Sequence, residues 1–222
     1  MSDYSSALSP STLQSDTYAI VADQTWDGIS ADSHSNLAVI INGEQIQDVI
    51  PENMLPELIN TIKLPNCTLL PGLIDAHVHY SSVMGPSFLA AGVTTVRDVG
   101  NDLQWIIKQR AFNEMKKDSG PTIVCCGHLQ DGPDKYWPNM GRANKNPEKL
   151  RASIREHIDA GVDGIKLYDG LNAEMVYAGV DDTHNLNKPV TAHLVECAVE
   201  DAVSSGLDCI EHLSGCTPAW NA

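Results

Sequence analysis

Basic residues are scarce in this chain: 14 lysines and arginines stand against 29 aspartates and glutamates, a net charge of −15 at pH 7. Binding a phosphate backbone needs a basic surplus, so the composition excludes nucleic acid as a partner. The acidic balance reads instead as a well-solvated surface. Paired cysteine spacing is also missing. Six cysteines are present, with no CxxC that would close on zinc or a redox disulfide. Most sit in apolar runs such as Ile123-Val124-Cys125-Cys126, where a free thiol behaves as a small hydrophobe, which suits a reducing compartment. Met1 to Gln14 carries neither the basic stretch nor the apolar core of a signal peptide, and no run is long enough to span a bilayer. The expectation is a cytoplasmic protein that binds neither nucleic acid nor membrane.

What the chain does have is 42% hydrophobic residues, enough for a real core. Residues 1–16 are polar and serine-rich and predict a disordered tail. Residues 17–66 predict a small β-rich domain with strands at Tyr18–Ala22, Leu37–Ile41 and Gln45–Ile50. Asn42-Gly43 supplies a type I′ hairpin signal there. A short helical piece over Glu52–Asn60 leads to a strand over Leu64–Leu70.

From 67 to 222 the rhythm becomes strand then helix. Strands are expected at Val93–Val96, Thr122–Cys126, Gly164–Leu167, Val190–Leu194 and Leu207–Glu211. A helix is expected from Asp102 to Lys117, and another from Pro147 to a glycine stop at Gly161. Between them lies a polar loop, Gly127–Asn146. This alternation predicts parallel βαβ units. The fold class is therefore α/β: a partial (β/α)8 TIM-like barrel of about six strands preceded by a small β-sandwich segment. A complete barrel needs about 250 residues, so the chain reads as incomplete after its sixth strand. The Tyr80–Ala91 crossover is close to the shortest that can link parallel strands.

The chemistry is concentrated at strand ends. In Leu70-Pro71-Gly72-Leu73-Ile74-Asp75-Ala76-His77-Val78-His79, residues i and i+2 of a strand share a face, so His77 and His79 project two imidazoles side by side. Lys166, His193 and His212 each close a later apolar run. Five such groups at successive strand ends describe a metal site at the mouth of a barrel. Taken singly, His193 and His212 also read as packed histidines, and Lys166 as a lysine snorkelling to solvent. Asp98 reads as a structural partner of Arg97 or a mouth residue. His128, Asp131 and Tyr168 lie where substrate contacts arise, or in ordinary polar and packed positions. Tyr136 and Trp137 stand either as a lid over a bound ligand or as an anchor for their loop. His34, His157 and His184 read as surface residues.

These motifs resemble the metal-dependent amidohydrolase superfamily, and within it the imidazolonepropionase-like and Xaa-Pro dipeptidase-like branch. Pro71-Gly72-Leu73-Ile74-Asp75-Ala76-His77-Val78-His79 is similar to the family's strand-one signature, and Gly92-Val93-Thr94-Thr95-Val96-Arg97-Asp98 to its strand two. Gly164-Ile165-Lys166, Thr191-Ala192-His193 and Ile210-Glu211-His212 match strands four, five and six. The resemblance implies a hydrolase of carbon–nitrogen bonds in amides or dipeptides, working through a hydroxide activated by two metals. His77 and His79 would hold the more buried metal, and His193 and His212 the second. Lys166, carbamylated by CO2, would bridge them. Imidazole and carboxylate ligands suit zinc. The implied catalytic set is Lys166, His193 and His212, with a small-molecule amide or dipeptide as substrate and self-association left open. The family's metal-binding aspartate after strand eight has no counterpart in this sequence. The competing reading is accordingly a non-catalytic remnant or binding protein, with a scaffold that has lost its chemistry as a third.

Overall fold

A computed structural model describes residues 16–216, and the chain divides into two compact units, Met1–Pro71 and Gly72–Ala222. The tail expected over residues 1–16 falls almost wholly outside the described residues.

The first unit is one mixed sheet. β1 (Thr17–Thr25), β2 (Leu37–Asn42), β3 (Gln45–Pro51) and β4 (Asn60–Leu69) lie in the order β3-β2-β1-β4. β1–β2 and β2–β3 are antiparallel, whereas β1–β4 is parallel. Ala19, Val21, Ala38, Ile40, Ile50 and Ile59 form its core. The hairpin turn falls one residue later than expected: Asn42 pairs with Gln45, so Gly43 and Glu44 form the loop. Gly43 alone takes positive φ (58°), the arrangement in which glycine fills the first central position. The helical piece expected over Glu52–Asn60 is a single 3₁₀ turn, Glu52–Met54. Pro51 and Pro56 flank it and bar helix propagation. β4 runs on through Cys67 to Leu69 beside β1, so this unit extends past residue 66. A bulge at Pro65-Asn66 follows from proline's missing donor: Asn66 turns to φ 59° and gives its N–H to Asp23 Oδ2 at 2.9 Å.

The second unit is wound as βα repeats. Its strands are β5 (Leu73–Val78), β6 (Val93–Asp98), β7 (Thr122–Cys125), β8 (Leu129–Asp131), β9 (Gly141–Ala143), β10 (Ile165–Leu167), β11 (Val190–Ala192) and β12 (Cys209–Ile210). Its helices are α1 (Gly85–Ala90), α2 (Leu103–Met115), α3 (Pro147–Asp159), α4 (Ala173–Asn185) and α5 (Val199–Ser204). All strand pairings are parallel, in the orders β5-β6-β7 and β12-β11-β10-β8-β9. Sequence-local caps start the longer helices: the side chains of Asp102, Asn146 and Asn172 accept from Trp105, Lys149 and Met175 N–H. Gly161, at φ 94°, follows α3 where a left-handed residue ends a helix.

The segment Gly127–Asn146 is not a plain loop, because it contains β8 and β9. Strand three of the winding is split in two: β7 pairs with β6, and β8 pairs with β10. Gly127, at φ 71°, makes the break. Asp163 bridges it, giving its N–H to Cys125 O at 2.9 Å and accepting Cys125 N–H on Oδ2 at 2.9 Å. Beyond the named strands the ladder continues along their C-terminal ends. Val99 N–H bonds Val78 O, Cys126 bonds Asp98, Tyr168 bonds Gln130, His193 bonds Leu167 and Glu211 bonds Ala192. Every motif of interest therefore lies on one rim. Among the described residues, no helix is long and apolar enough to cross a membrane.

A Cβ on Gly127 would meet His157 Cδ2 at 2.8 Å and Leu103 Cδ1 at 2.9 Å. Gly127→Ala adds left-handed strain to this overlap and should cost about 1–3 kcal/mol. The check is a lower urea midpoint with an unchanged m-value.

Candidate metal centre

β10 shows how a strand delivers a charged group into a core. Ile165 and Leu167 are buried, Leu167 lying against Gly179 of α4, so alternation sends the Lys166 side chain to the opposite face. Lys166 is only 1% exposed, and its Nζ has no hydrogen-bond partner. Burial pulls the ammonium pKa down from 10.5 to about 8, against the opposing pull of Glu211 and Cys126. A free amine is thus within reach near neutral pH.

The four histidines named from the sequence form a row. His77 lies at the end of β5 and His79 just beyond it, with ring centroids 5.7 Å apart and nearly perpendicular. His212, following β12, is 4.3 Å from His77, and His193, following β11, is 5.1 Å from His212. Burial lowers the pKa of both His193 and His212, and the Lys166 charge adds to the shift in each. Among the described residues, no three His, Cys, Asp or Glu side chains close on a common point; the rings are neighbours in a line, with the lysine among them. His212 and Leu213 both hold φ of 58°, an uncommon conformation for residues with a side chain.

The outward nitrogens of the strand-one pair are held from behind. His77 Nδ1 lies 2.6 Å from Glu211 Oε2, and His79 Nδ1 lies 2.8 Å from Gly100 O. The Gly100 segment is fixed by Asp98. Its buried carboxylate accepts from Tyr80 N–H at 2.7 Å, Gly100 N–H at 3.2 Å and Asn101 Nδ2 at 2.6 Å. Burial raises the Asp98 pKa while those three donors oppose the rise.

Glu211 was visible in the motif, yet sequence reasoning gave it no role. It is 5% exposed and saturated by donors. Arg97 Nη2 and Thr191 Oγ1 both donate to Oε1, each at 2.6 Å. Burial would raise its pKa, but Thr191, His77, Lys166 and Arg97 prevail and hold it at about 2. Its position beside His212 was the available clue, because neighbours at a strand end alternate faces and one of them must point inward.

The other candidates separate cleanly. Asp131 spends both carboxylate oxygens on backbone: Gly132 and Gly170 N–H at 2.8 and 3.0 Å, and Tyr136 N–H at 2.8 Å. It anchors the β8–β9 segment. Trp137 Nε1 donates to Tyr168 Oη at 3.0 Å, and the Tyr168 ring lies 5.1 Å from His193. That pair extends the histidine row with an aromatic shelf. His128 belongs elsewhere: its Nδ1 lies 3.3 Å from His157 Nε2 and its Nε2 3.5 Å from Asp102. His157, expected on the surface, is fully buried, bonded to Ser153 O at 2.7 Å and to Gln130 at 3.1 Å. Burial takes its pKa down to about 4. It sits on the inner face of α3, where helix periodicity alone had not placed it. His34 and His184 are exposed.

No family model matches the chain. An uncharacterized protein of Mycobacterium tuberculosis is 27% identical over 171 residues, and a Mycobacterium bovis protein matches to the same extent. A solved Xaa-Pro dipeptidase with methionine bound in its active site is 25% identical, with a TM-score of 0.72 over 88% of this chain. The chain has the amidohydrolase fold. An amidohydrolase and the A. niger ochratoxinase superpose with TM-scores of 0.75 and 0.76 at 20% and 18% identity. This amidohydrolase-type chain spans 45% of the length of the mycobacterial relatives and about 60% of those solved structures, a partial TIM-like barrel.

Lys166→Met replaces a buried, unpartnered ammonium with an apolar chain of similar length. The metal-free protein should gain about 1–3 kcal/mol at pH 7. The unfolded chain holds a proton that the folded one sheds between about 8 and 10.5, so wild-type stability should climb with pH across that window. The variant should lose this contribution, as read from melting temperatures on a pH series.

Proposed function

We propose that this amidohydrolase-type barrel hydrolyses carbon–nitrogen bonds in small amides at a site holding two divalent metal ions, zinc being the ion its donors suit. The observation that carries this reading is a row of four imidazoles, two of which feel the charge of a buried lysine that has no hydrogen-bond partner. A protein does not leave a lysine so placed without a use, because its desolvation is uncompensated. Carbamylation of the free amine would convert that orphan cation into a carboxylate, the ligand that the histidine row lacks.

In this reading His77 and His79 would hold one ion and His193 and His212 the other, with carbamylated Lys166 as the carboxylate that completes the ligand set. Bound there, the metals supply Lewis acidity toward a carbonyl and lower the pKa of water. The chain's own groups do the rest. Glu211 and the Gly100 carbonyl each require a proton on Nδ1 of the histidine they face, which leaves Nε2 free to ligate. Asp98 holds the loop carrying Gly100 in place. Trp137 and Tyr168 form a rigid aromatic flank beside His193, suited to the apolar body of a small substrate. Cyclic amides, N-acyl amino acids and dipeptides all fit such a site, and the Xaa-Pro dipeptidase among the structural neighbours favours dipeptides for a first panel.

Metal-depleted protein reconstituted with zinc should take up metal to a level set by bicarbonate, and CO2-free buffer should lower the zinc content read by elemental analysis. Zinc uptake indifferent to bicarbonate would count against the carbamate. Replacing His77 and His79 together with alanine should abolish zinc retention while leaving the circular dichroism spectrum intact. Full retention in that variant would overturn the site. Hydrolysis of a panel of Xaa-Pro dipeptides and N-acyl amino acids by the zinc-loaded protein then tests the substrate class.

A further inference from the structure

Glu211 joins four strands of the second unit. It follows β12, reaches His77 on β5, and is braced by Arg97 of β6 and Thr191 of β11. Arg97 also gives Nε–H to Ala76 O at 2.6 Å, so one guanidinium ties the carboxylate to the backbone directly preceding His77. The three bonds to Glu211 are short and charge-assisted, made to a carboxylate that is itself buried, and such bonds are the strongest and most directional kind available to side chains.

We propose that Glu211, braced by Arg97 and Thr191, is a positioning residue that fixes the proton of His77 on Nδ1 and thereby presents the Nε2 lone pair to a metal. The inference rests on the metal reading above and extends it to a residue outside the ligand set. Hydrogen-bond bookkeeping dictates the direction. A guanidinium has no acceptor, and the Thr191 hydroxyl donates to the same oxygen, so Oε1 is filled by donors. The ionised carboxylate can only accept, so the nitrogen 2.6 Å from Oε2 must carry the hydrogen. His79 receives the same instruction from a backbone carbonyl, which mutation cannot change. His77 depends on a side chain that can be replaced.

Glutamine is the informative replacement. An amide N–H₂ turned toward Arg97 would set donor against donor, so the amide oxygen must take the Arg97 and Thr191 side. Its N–H₂ then faces His77, which must accept on Nδ1 and move its proton to Nε2. Shape is kept while the lone pair is turned away from the metal side.

The experiment uses the full chain labelled with ¹⁵N-histidine, and long-range ¹H–¹⁵N correlation spectra of the metal-free protein report each ring's tautomer. Wild-type His77 should be protonated on Nδ1, and Glu211→Gln should invert it to Nε2 while His79 is unchanged. Zinc affinity, read by competition with a chromogenic chelator, should fall about 10–100-fold in Glu211→Gln. If that variant does not fold, Thr191→Val removes one brace only and should keep the His77 proton on Nδ1, since the carboxylate still only accepts, with a smaller affinity loss; a His77 proton on Nε2 in this variant would overturn the proposal. A wild-type His77 protonated on Nε2, or equal zinc affinity despite an inverted tautomer, would overturn the proposal. An inverted tautomer in a protein that binds no zinc in either form would uphold the proton placement and overturn the metal reading.

Discussion

A buried carboxylate accepting from three strands is the constraint around which the rim of this barrel is arranged. Glu211 cannot be solvated where it sits, so its charge has to be met by donors from the chain, and Arg97, Thr191 and His77 meet it. Each comes from a different strand, and each bond is tight. A charge pair withdrawn from water contributes little net stability of its own, but breaking it leaves an uncompensated ion. Its effect is on geometry: β5, β6, β11 and the end of β12 must hold a common register at their C-terminal ends, which is where the imidazoles lie.

Lys166 presents the opposite case. Its charge is equally withdrawn from water, yet no acceptor lies within hydrogen-bonding reach. One buried group is fully matched and the other fully unmatched, on strands separated in the sheet only by β11. Core packing cannot account for the difference, because the apolar neighbours Ile165 and Leu167 would be served as well by any hydrophobe between them. The asymmetry supports the carbamate proposed for Lys166 and makes Glu211 part of the frame.

Much of this was legible in the sequence, for a physical reason. The winding follows from strand–helix alternation, and side chains at i and i+2 share a face, so His77 and His79 read as neighbours, and the later strand ends bring His193 and His212 beside them. What could not be read there depended on tertiary contacts of residues with unremarkable local signals. His157 falls on the inward face of α3 and fills space against Gly127. Strand three is broken by one glycine into segments that pair with different neighbours. Glu211 and Arg97 are separated by more than half the described chain, and nothing local to either reveals the other. The hairpin turn lies one residue later, because the glycine of Asn-Gly can fill the second central position of a type I′ turn or the first of a type II′ turn.

The vicinal thiols Cys125 and Cys126 are both buried, and burial pushes each pKa up to about 12. At physiological pH almost no thiolate exists there, and the thiolate is the species that alkylating agents and oxidants attack. Cys67 and Cys216, by contrast, are exposed free thiols. The split strand at the centre of the barrel is therefore chemically silent. A maleimide probe or a spin label would report from the periphery, one position in each of the two compact units.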